Sequence, residues 1–355
     1  MTLQELGYDS GWDLFRKEQG FKHYEFGRIV NEHKERYIVR TGDHEYQAEI
    51  IGQLRYSAEN RSDFPAVGDW VAISPYDDDK ALIHAVLPRR TIISRQAVGK
   101  HAEKQIIATN VDYAFIVQAV DRDFNINRIE RYLTICHSAK VSPIILLNKI
   151  DLIDQNALTV MLEELNKRIE KVPVSAISNE TGEGIIALMD QMLPGKTYCL
   201  LGSSGVGKST LVNKLSGREM METNAISSST QKGRHVTTHR ELILLANGSI
   251  LIDNPGMREV GILDSATGVD ATFDMLLQYA QNCRFKDCTH TNEAGCAILQ
   301  AVENGDLDPN AHENYLKLER EREHFEMTLA EKRKRDREFG KMVRTFKKIK
   351  DHRKK

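Results

Sequence analysis

The chain has 355 residues, 41% of them hydrophobic and 28% charged, which is the composition of a soluble protein with room for two or three domains. Its formal net charge is only −2, it has no apolar run of about eighteen residues that could form a transmembrane helix, and its first residues lack a basic-then-apolar signal region. Five cysteines, an odd number, argue against a disulfide framework and favour a reducing cytoplasm.

Residues 1–23 predict a short amphipathic lead that packs on the domain after it. Residues 24–95 contain short β-rich runs separated by turn signals such as Val67-Gly68-Asp69. Four or five strands in about seventy residues fit a small all-β barrel, and the OB-fold is the expected architecture. Such barrels often bind RNA, but acidic and basic residues are balanced here, so a purely structural barrel remains an alternative.

Residues 96–265 predict a central α/β domain with buried parallel strands. Apolar runs at 113–117 and 143–147 have the character of buried strands, and the stretch 126–140 between them has helical spacing. This alternation of strand and helix is typical of an open α/β sheet, whose ligands bind at the carboxyl ends of the strands.

The second of these strands leads into Asn148-Lys149-Ile150-Asp151, the N-K-x-D pattern with which GTPases read guanine. A carboxylate at Asp151 can accept hydrogen bonds from two N–H donors of the guanine edge, which adenine does not offer. Asn148 would support the loop and the 6-oxo side, and the Lys149 stem would cover the base. The motif therefore predicts guanine specificity at the end of this strand.

A second guanine contact is expected shortly after the next helix, which is predicted over residues 156–171. A short strand at 172–174 leads into Ser175-Ala176. A Ser-Ala turn after a strand commonly contacts guanine through backbone N–H groups in GTPases. Ser175 and Ala176 are therefore candidate guanine-binding residues.

The central motif is a P-loop, G-x-x-x-x-G-K-S, at residues 202–209. Apolar residues 197–201 predict a buried strand before it, and residues 209–215 predict a helix after it. In such a loop the backbone N–H groups surround phosphate oxygens, the lysine reaches the β- and γ-phosphates, and the serine hydroxyl ligates Mg²⁺. The predicted phosphate-binding residues are Gly202, Ser203, Ser204, Gly205, Val206, Gly207, Lys208, Ser209 and Thr210.

Two later segments supply the remaining groups of a GTPase site. The polar stretch 216–238 is expected to be switch I, in which either Thr237 or Thr238 ligates Mg²⁺ when a γ-phosphate is present. A predicted hairpin then ends in a D-x-x-G motif. The Asp253 carboxylate would hold Mg²⁺ through water, and the Gly256 N–H would bond the γ-phosphate.

Met257 stands where many GTPases carry a glutamine that orients the attacking water. Because a thioether cannot orient water in this way, intrinsic hydrolysis should be slow and another group should position the water. His235 in the switch segment is the candidate catalytic residue. Local packing of the His235 ring is the competing interpretation.

The order of these motifs differs from that of an ordinary GTPase. Here N-K-x-D and Ser-Ala precede the P-loop, whereas the usual order places them after D-x-x-G. The same sheet can form because the termini of compact domains often lie close together and tolerate permutation. We therefore expect a circularly permuted GTPase domain whose D-x-x-G segment leads directly into a C-terminal domain.

The C-terminal domain, residues 266–355, is predicted to be mainly helical and to hold a metal. Cys283, Cys288, His290 and Cys296 have the spacing C-x4-C-x-H-x5-C. Three thiolates and an imidazole make a closed tetrahedral Zn²⁺ site of the structural type, with no position left for a catalytic water. Buried thiols without metal are the alternative interpretation.

The last segment, Thr328 to Lys355, is strongly basic, with thirteen Lys or Arg and four Asp or Glu. The rest of the chain is acidic, with 36 basic and 47 acidic residues. Apolar residues at helical spacing are interleaved with this charge, which favours an RNA contact over a solvated charged helix. An acidic membrane surface is the competing partner.

The permuted motif order, the barrel and the metal spacing together resemble the bacterial ribosome small subunit-dependent GTPase family, from about Tyr24 to the tail. The resemblance implies an OB-fold, a permuted GTPase domain and a zinc-binding domain. It further implies a role in late maturation of the 30S subunit and GTP hydrolysis stimulated by that subunit. In the family, a Gly-Arg-His-Thr-Thr-Thr switch carries a histidine implicated in hydrolysis, and His235 occupies its place. Val236 and Asn254 depart from the family pattern, which leaves the hydrolysis rate open.

The sequence therefore predicts a cytoplasmic, monomeric GTP hydrolase with one structural Zn²⁺ and with Mg²⁺ bound beside GTP. Its expected partners are GTP or GDP and the 30S subunit with its 16S rRNA, and no membrane. One alternative is a GTP-gated RNA-binding checkpoint with little turnover. A P-loop ATPase or kinase is a second alternative, which N-K-x-D argues against.

Overall fold

The computed structural model of the protein describes residues 2–18, 20–33, 36–42, 44–96, 104–121, 124–217, 240–253 and 266–326. The basic segment from Thr328 lies outside these residues. Among the helices that they form, none is both long enough and apolar enough to span a bilayer.

The N-terminal part is a closed five-stranded barrel, which confirms the predicted OB-fold. Its strands are β1 (Glu25–His33), β2 (Arg36–Arg40), β3 (Glu45–Ile50), β4 (Trp70–Asp77) and β5 (Lys80–Val86). They pair in the ring β1-β2-β3-β5-β4-β1, in which only β3 and β5 run parallel. In β3 the side chains alternate between exposed and buried, as expected for a strand with one face on a core.

The lead completes one end of this barrel. Helix α1 (Ser10–Glu18) precedes the strands, and α2 (Gly52–Ser57) follows β3. The rings of Tyr8 and Trp12 lie 5.0 and 5.5 Å from the ring of Trp70 in β4. This aromatic cluster confirms that the lead packs on the barrel.

A hairpin connects the barrel to the α/β domain. Its strands, β6 (Ile92–Gln96) and β7 (Lys104–Thr109), form a two-stranded antiparallel sheet. The domain boundary expected between residues 95 and 96 falls inside β6.

The α/β domain contains the predicted strands and helices. The strands are β8 (Tyr113–Ala119), β9 (Ser142–Asn148), β10 (Val174–Ile177), β11 (Thr197–Leu201), β12 (Glu241–Leu244) and β13 (Ile250–Asp253). The helices are α3 (Ile126–Ser138), α4 (Gln155–Arg168), α5 (Ile185–Gln191) and α6 (Lys208–Ser216). The strand order is β10-β9-β8-β11-β13-β12, and all neighbours are parallel except β12 and β13. The P-loop strand β11 is buried along its whole length, as expected for a central parallel strand.

The barrel and the α/β domain share one sheet. Strand β1 pairs antiparallel with β12 at Asn31 and Glu241, which gives eleven continuous strands. Below this junction the buried guanidinium of Arg28 donates hydrogen bonds to the carbonyls of Leu6, Gly68 and Asn110 at 2.6, 3.2 and 3.1 Å. One side chain thereby joins the lead, the barrel and the α/β domain.

The C-terminal part is helical and packs on α3. Its helices are α7 (Ala266–Thr272), α8 (Asp274–Ala280), α9 (Ala297–Asn304) and α10 (Pro309–Glu326). They have a core of their own, which includes Val269, Phe273, Ile298 and Leu318. A Cβ atom at Gly268 would lie 2.0 Å from Ser138 Oγ and 2.4 Å from the Thr134 carbonyl oxygen, so α7 lies directly against α3.

Candidate functional site

The P-loop connects β11 to α6 at the carboxyl edge of the sheet. Gly202 has φ 148°, and a Cβ atom there would lie 2.4 Å from the Val117 carbonyl oxygen of β8. Gly205 and Gly207 have φ 83° and 97°, in the left-handed region that favours glycine. These glycines turn the backbone tightly into the first turn of α6, the arrangement that directs N–H groups at a phosphate.

Lys208 opens α6 and bends back over the loop. Its Nζ donates hydrogen bonds to the carbonyls of Gly202 and Ser203 at 2.7 and 2.5 Å. Burial lowers the pKa of Lys208 to about 8, and the nearby Asp253 carboxylate opposes this shift. Asp253 ends β13, the parallel neighbour of β11, so its carboxylate faces the same loop as the lysine. Ser209 and Thr210 follow in the first turn of α6.

The guanine-reading motif contacts the P-loop, although 58 positions separate the bonded residues. Asn148 ends β9 and is fully buried. Its Nδ2 donates to the Val206 carbonyl at 2.7 Å. A Cβ atom at Gly207 would lie only 2.3 Å from the same Nδ2 atom. The structure therefore places N-K-x-D and the P-loop side by side, as the permuted order requires.

The other two defining residues of the motif are Lys149, which is partly exposed, and Asp151, which is exposed. Lys149 adopts the left-handed conformation, with φ 68°, and its Nζ donates to Asp121 Oδ2 at 2.9 Å. Asp151 lies in a short 3₁₀ turn, is exposed and accepts a hydrogen bond from the Ser178 hydroxyl. The Asp151 side chain therefore lies at the surface, three positions after the buried Asn148.

The turn predicted at Ser175-Ala176 is strand in the structure. Both residues belong to β10 and pair with Leu146 and Leu147 of β9, because β10 continues until the fully buried Ile177. The polar turn begins at Ser178, whose hydroxyl contacts Asp151. Ile177 could have indicated this from the sequence, because an apolar residue directly after the Ser-Ala pair extends the strand past it.

Asn179 is a site residue that the motif pattern did not predict. Its backbone N–H donates to Asn148 Oδ1 at 3.2 Å, and its Nδ2 donates to the Gly207 carbonyl at 2.8 Å. It therefore links the loop after β10 to both the guanine motif and the P-loop. Four predicted site residues, Thr237, Thr238, His235 and Gly256, lie outside the described residues.

A second candidate site is the predicted metal cluster in the C-terminal domain. The ligand atoms of Cys283, Cys288, His290 and Cys296 all lie within 4.8 Å of one another. The Sγ atoms of Cys283 and Cys296 are 3.9 Å apart, and His290 Nδ1 is 3.7 and 3.5 Å from them. A tetrahedron with Zn–S bonds of about 2.3 Å has an edge of about 3.8 Å, so this donor set fits a metal ion of that size. The Ala297 N–H, at 3.3 Å from Cys283 Sγ, would further stabilise a thiolate.

A polar cavity of about 290 Å³ lies at the opposite, amino edge of the parallel strands. Arg90 on its wall is paired with Asp9, and Lys196 is paired with Asp112 at 3.0 Å. These charged groups are neutralised by one another, and the cavity lies at the edge of the sheet opposite to the P-loop and Asn148. The carboxyl edge is therefore the candidate active site.

Comparison with known proteins gives one family. The sequence model of the RsgA GTPase family matches residues 86–263. The chain is 40% identical to small ribosomal subunit biogenesis GTPase RsgA 1 of Bacteroides thetaiotaomicron, over 96% of each chain. It is 42% identical to small ribosomal subunit biogenesis GTPase RsgA of Opitutus terrae, over 90% of each chain.

The solved structures that resemble it agree with this result. The crystal structure of YjeQ from Thermotoga maritima matches with a TM-score of 0.62 and 25% identity, over 86% of this chain and 99% of that one. The structure of YloQ, described as a circularly permuted GTPase, matches with a TM-score of 0.62 and 22% identity, over 87% and 98%. The fold of YloQ thus confirms the predicted circular permutation.

Proposed function

The chain belongs to the RsgA GTPase family, whose members hydrolyse GTP, and from this membership we propose that its carboxyl-edge pocket couples GTP hydrolysis to maturation of the small ribosomal subunit. The hydrogen bond from Asn148 to Val206 is the observation that carries the proposal. It joins the motif that reads guanine to the loop that holds phosphate, so that both can contact one nucleotide.

The residues of the pocket have distinct roles in this proposal. The P-loop amides and Lys208 bind the phosphates, and Asp151 accepts the two N–H donors of the guanine edge. The turn that begins at Ser178 holds the guanine motif in place, because the Ser178 hydroxyl contacts Asp151 and the Asn179 N–H contacts Asn148. Ser175 and Ala176, just before this turn, stay the candidates for the second contact to the base. Asn148 holds the N-K-x-D loop against the P-loop.

The donor set also fits Mg²⁺ beside the phosphates. Ser209, Asp253 and one of Thr237 and Thr238 would hold the ion, which would neutralise negative charge on the phosphates. Asp253 lies close enough to Lys208 to offset part of the fall in the lysine pKa that burial causes, so a carboxylate and an ammonium group lie beside the same proposed phosphate position.

Met257 leaves water positioning to another group, and His235 fills that role in the proposal. Since His235 is in the switch segment, we expect it to act when the small subunit is bound. Hydrolysis by the isolated protein should accordingly be slow, and the subunit should accelerate it.

The C-terminal domain and the basic tail form the other half of the proposal. Cys283, Cys288, His290 and Cys296 hold one structural Zn²⁺, which fixes the fold around it. The basic tail from Thr328 contacts the 16S rRNA of the 30S subunit, and the protein acts as a cytoplasmic monomer.

The test compares GTP turnover with and without purified 30S subunits, for the wild type and His235→Ala. We expect the subunit to raise the rate at least about tenfold for the wild type and much less for the variant. Tight GTP-dependent docking without stimulated turnover would instead identify a checkpoint module. If ATP displaced a labelled guanine nucleotide from the protein as well as GTP does, guanine specificity would be ruled out.

A further inference from the structure

Helix α3 contacts the P-loop at its first turn. Arg128 Nη1 donates a hydrogen bond to the Ser203 hydroxyl at 3.2 Å. Arg128 lies in the turn that begins the helix, where the Asn125 side chain caps α3 by accepting a hydrogen bond from the Arg128 N–H at 3.1 Å. Ser203 is also the residue whose carbonyl accepts a hydrogen bond from Lys208. Arg128 thus contacts Ser203, which in turn contacts Lys208, the proposed phosphate-binding lysine.

The same helix carries the C-terminal domain. Arg131, one turn after Arg128, forms an ion pair with Glu321 of α10. Further along, Thr134 Oγ1 and His137 Nδ1 lie 3.2 and 3.0 Å from Thr272 Oγ1 of α7. Together with the close approach at Gly268, these contacts attach the metal-binding domain to α3 along most of its length.

A buried charge fixes the middle of this interface. The Glu130 carboxylate on α3 accepts two hydrogen bonds from Arg168 of α4, both at 2.7 Å, and one from Asn314 of α10. Both members of this ion pair are almost fully buried, with side-chain exposures of 3% and 7%. Separating them would leave a buried charge unpaired, which is costly. Because Asn314 of α10 donates to the same carboxylate, the C-terminal domain cannot shift on α3 without moving the helix or leaving Glu130 with one hydrogen bond fewer.

We propose that Arg128 is a positioning residue. Through it, the position of the C-terminal domain on α3 determines how tightly the P-loop binds phosphate. A displacement of that domain, for example when it docks on a partner, moves the first turn of α3 and releases the Ser203 hydroxyl. The P-loop then loses one of its three side-chain attachments, those from Arg128, Asn148 and Asn179, and nucleotide affinity falls. This inference rests on the proposed nucleotide site and adds to it a specific connection from the metal-binding domain.

The first experiment measures GDP affinity by titration of a fluorescent GDP analogue into the full-length protein. Arg128→Gln and Ser203→Ala should each raise the dissociation constant by about five- to tenfold, the effect of losing one hydrogen bond. The double variant should be no weaker than either single variant, since both remove the same bond. Arg128→Lys, which keeps the charge, should recover part of the affinity. At saturating GTP the turnover number of Arg128→Gln should stay unchanged while its KM rises.

The second experiment tests the connection to the C-terminal domain. Glu321→Gln removes the charge that pairs with Arg131, and we expect it to raise the dissociation constant for GDP by about threefold. In the Arg128→Gln background the same change should have no further effect. Glu45→Gln, which removes a similar ion pair with Arg40 on the barrel, is the matched control and should leave affinity unchanged.

Each outcome distinguishes the two proposals. If the wild type bound no GDP, the nucleotide site itself would be wrong. If the wild type bound GDP and Arg128→Gln bound it equally well, only the positioning role would fail. If the effects of Glu321→Gln and Arg128→Gln simply added, Arg128 would not be the connection. If Arg128→Gln lowered the melting temperature and kcat together and Arg128→Lys did not help, its role would be structural.

Discussion

Asp151 determines base choice in the proposed pocket because its carboxylate is exposed yet fixed on one side by Ser178. We expect Asp151→Asn to weaken GTP binding by about a hundredfold, since two charge-assisted hydrogen bonds lose their acceptor. Xanthine nucleotides should bind the variant better than the wild type, because the new amide offers a donor to the 2-oxo group. Competition titrations with GTP and XTP measure both effects.

Asp154→Asn is the control for that change. Asp154, three positions after Asp151, caps the amino end of α4, and asparagine caps a helix equally well. Its affinity for GTP should equal that of the wild type. An Asp151→Asn protein that still preferred GTP over XTP would contradict the assignment of Asp151.

Gly207 is where two amide side chains meet the P-loop. A Cβ atom there would lie 2.3 Å from Asn148 Nδ2 and 2.7 Å from Asn179 Nδ2, and φ is 97°. Gly207→Ala should therefore push the base loop away from the phosphate loop and abolish measurable GDP binding. Gly217→Ala, at φ 65° with nothing within 4 Å, should cost only the strain of about 1 kcal/mol and keep GDP affinity. Isothermal titration calorimetry with both variants tests this difference.

At the scale of elements, the approach of α7 to α3 depends on Gly268. Because a Cβ atom would meet Ser138 Oγ at 2.0 Å and the Thr134 carbonyl at 2.4 Å, Gly268→Ala should destabilise the protein by about 1–3 kcal/mol. Chemical denaturation measures the change. Gly268→Ala combined with Ser138→Ala should regain only part of the loss, because the Thr134 carbonyl is backbone. Gly52→Ala, where nothing lies within 4 Å, should leave the free energy of unfolding nearly unchanged.

The metal-binding unit gives another prediction at this scale. A chelator should release one Zn²⁺ per chain and make three thiols reactive toward a thiol reagent, those of Cys283, Cys288 and Cys296. Cys136 and Cys199 should stay unreactive in the folded protein, since both are buried and burial raises the pKa of each thiol. Reaction of all five thiols at once would show that the whole fold depends on the metal, and reaction of three before chelation would show that no metal is bound.

The elements also show what the sequence could and could not predict. Lys208 and Asn148 were predictable because each belongs to a short motif whose chemistry is complete within a few residues. Ser178 was not, since the length of β10 depends on Ile177 filling the core rather than on the Ser-Ala pair before it. The pairing of β1 with β12 and the seating of α7 on α3 join segments more than a hundred positions apart, and nothing in either segment indicates its partner.

At the scale of the whole molecule, the shared sheet connects the barrel to the proposed nucleotide site. β12 is bonded to β1 on one side and to β13 on the other, and β13 ends at Asp253 beside the P-loop. For the barrel to rotate freely, the β1–β12 pairing at Asn31 and Glu241 would have to break. A large partner bound to the barrel would therefore act on the strand that leads to Asp253, the proposed Mg²⁺ ligand, and a change at one end of the molecule could reach the other through the sheet.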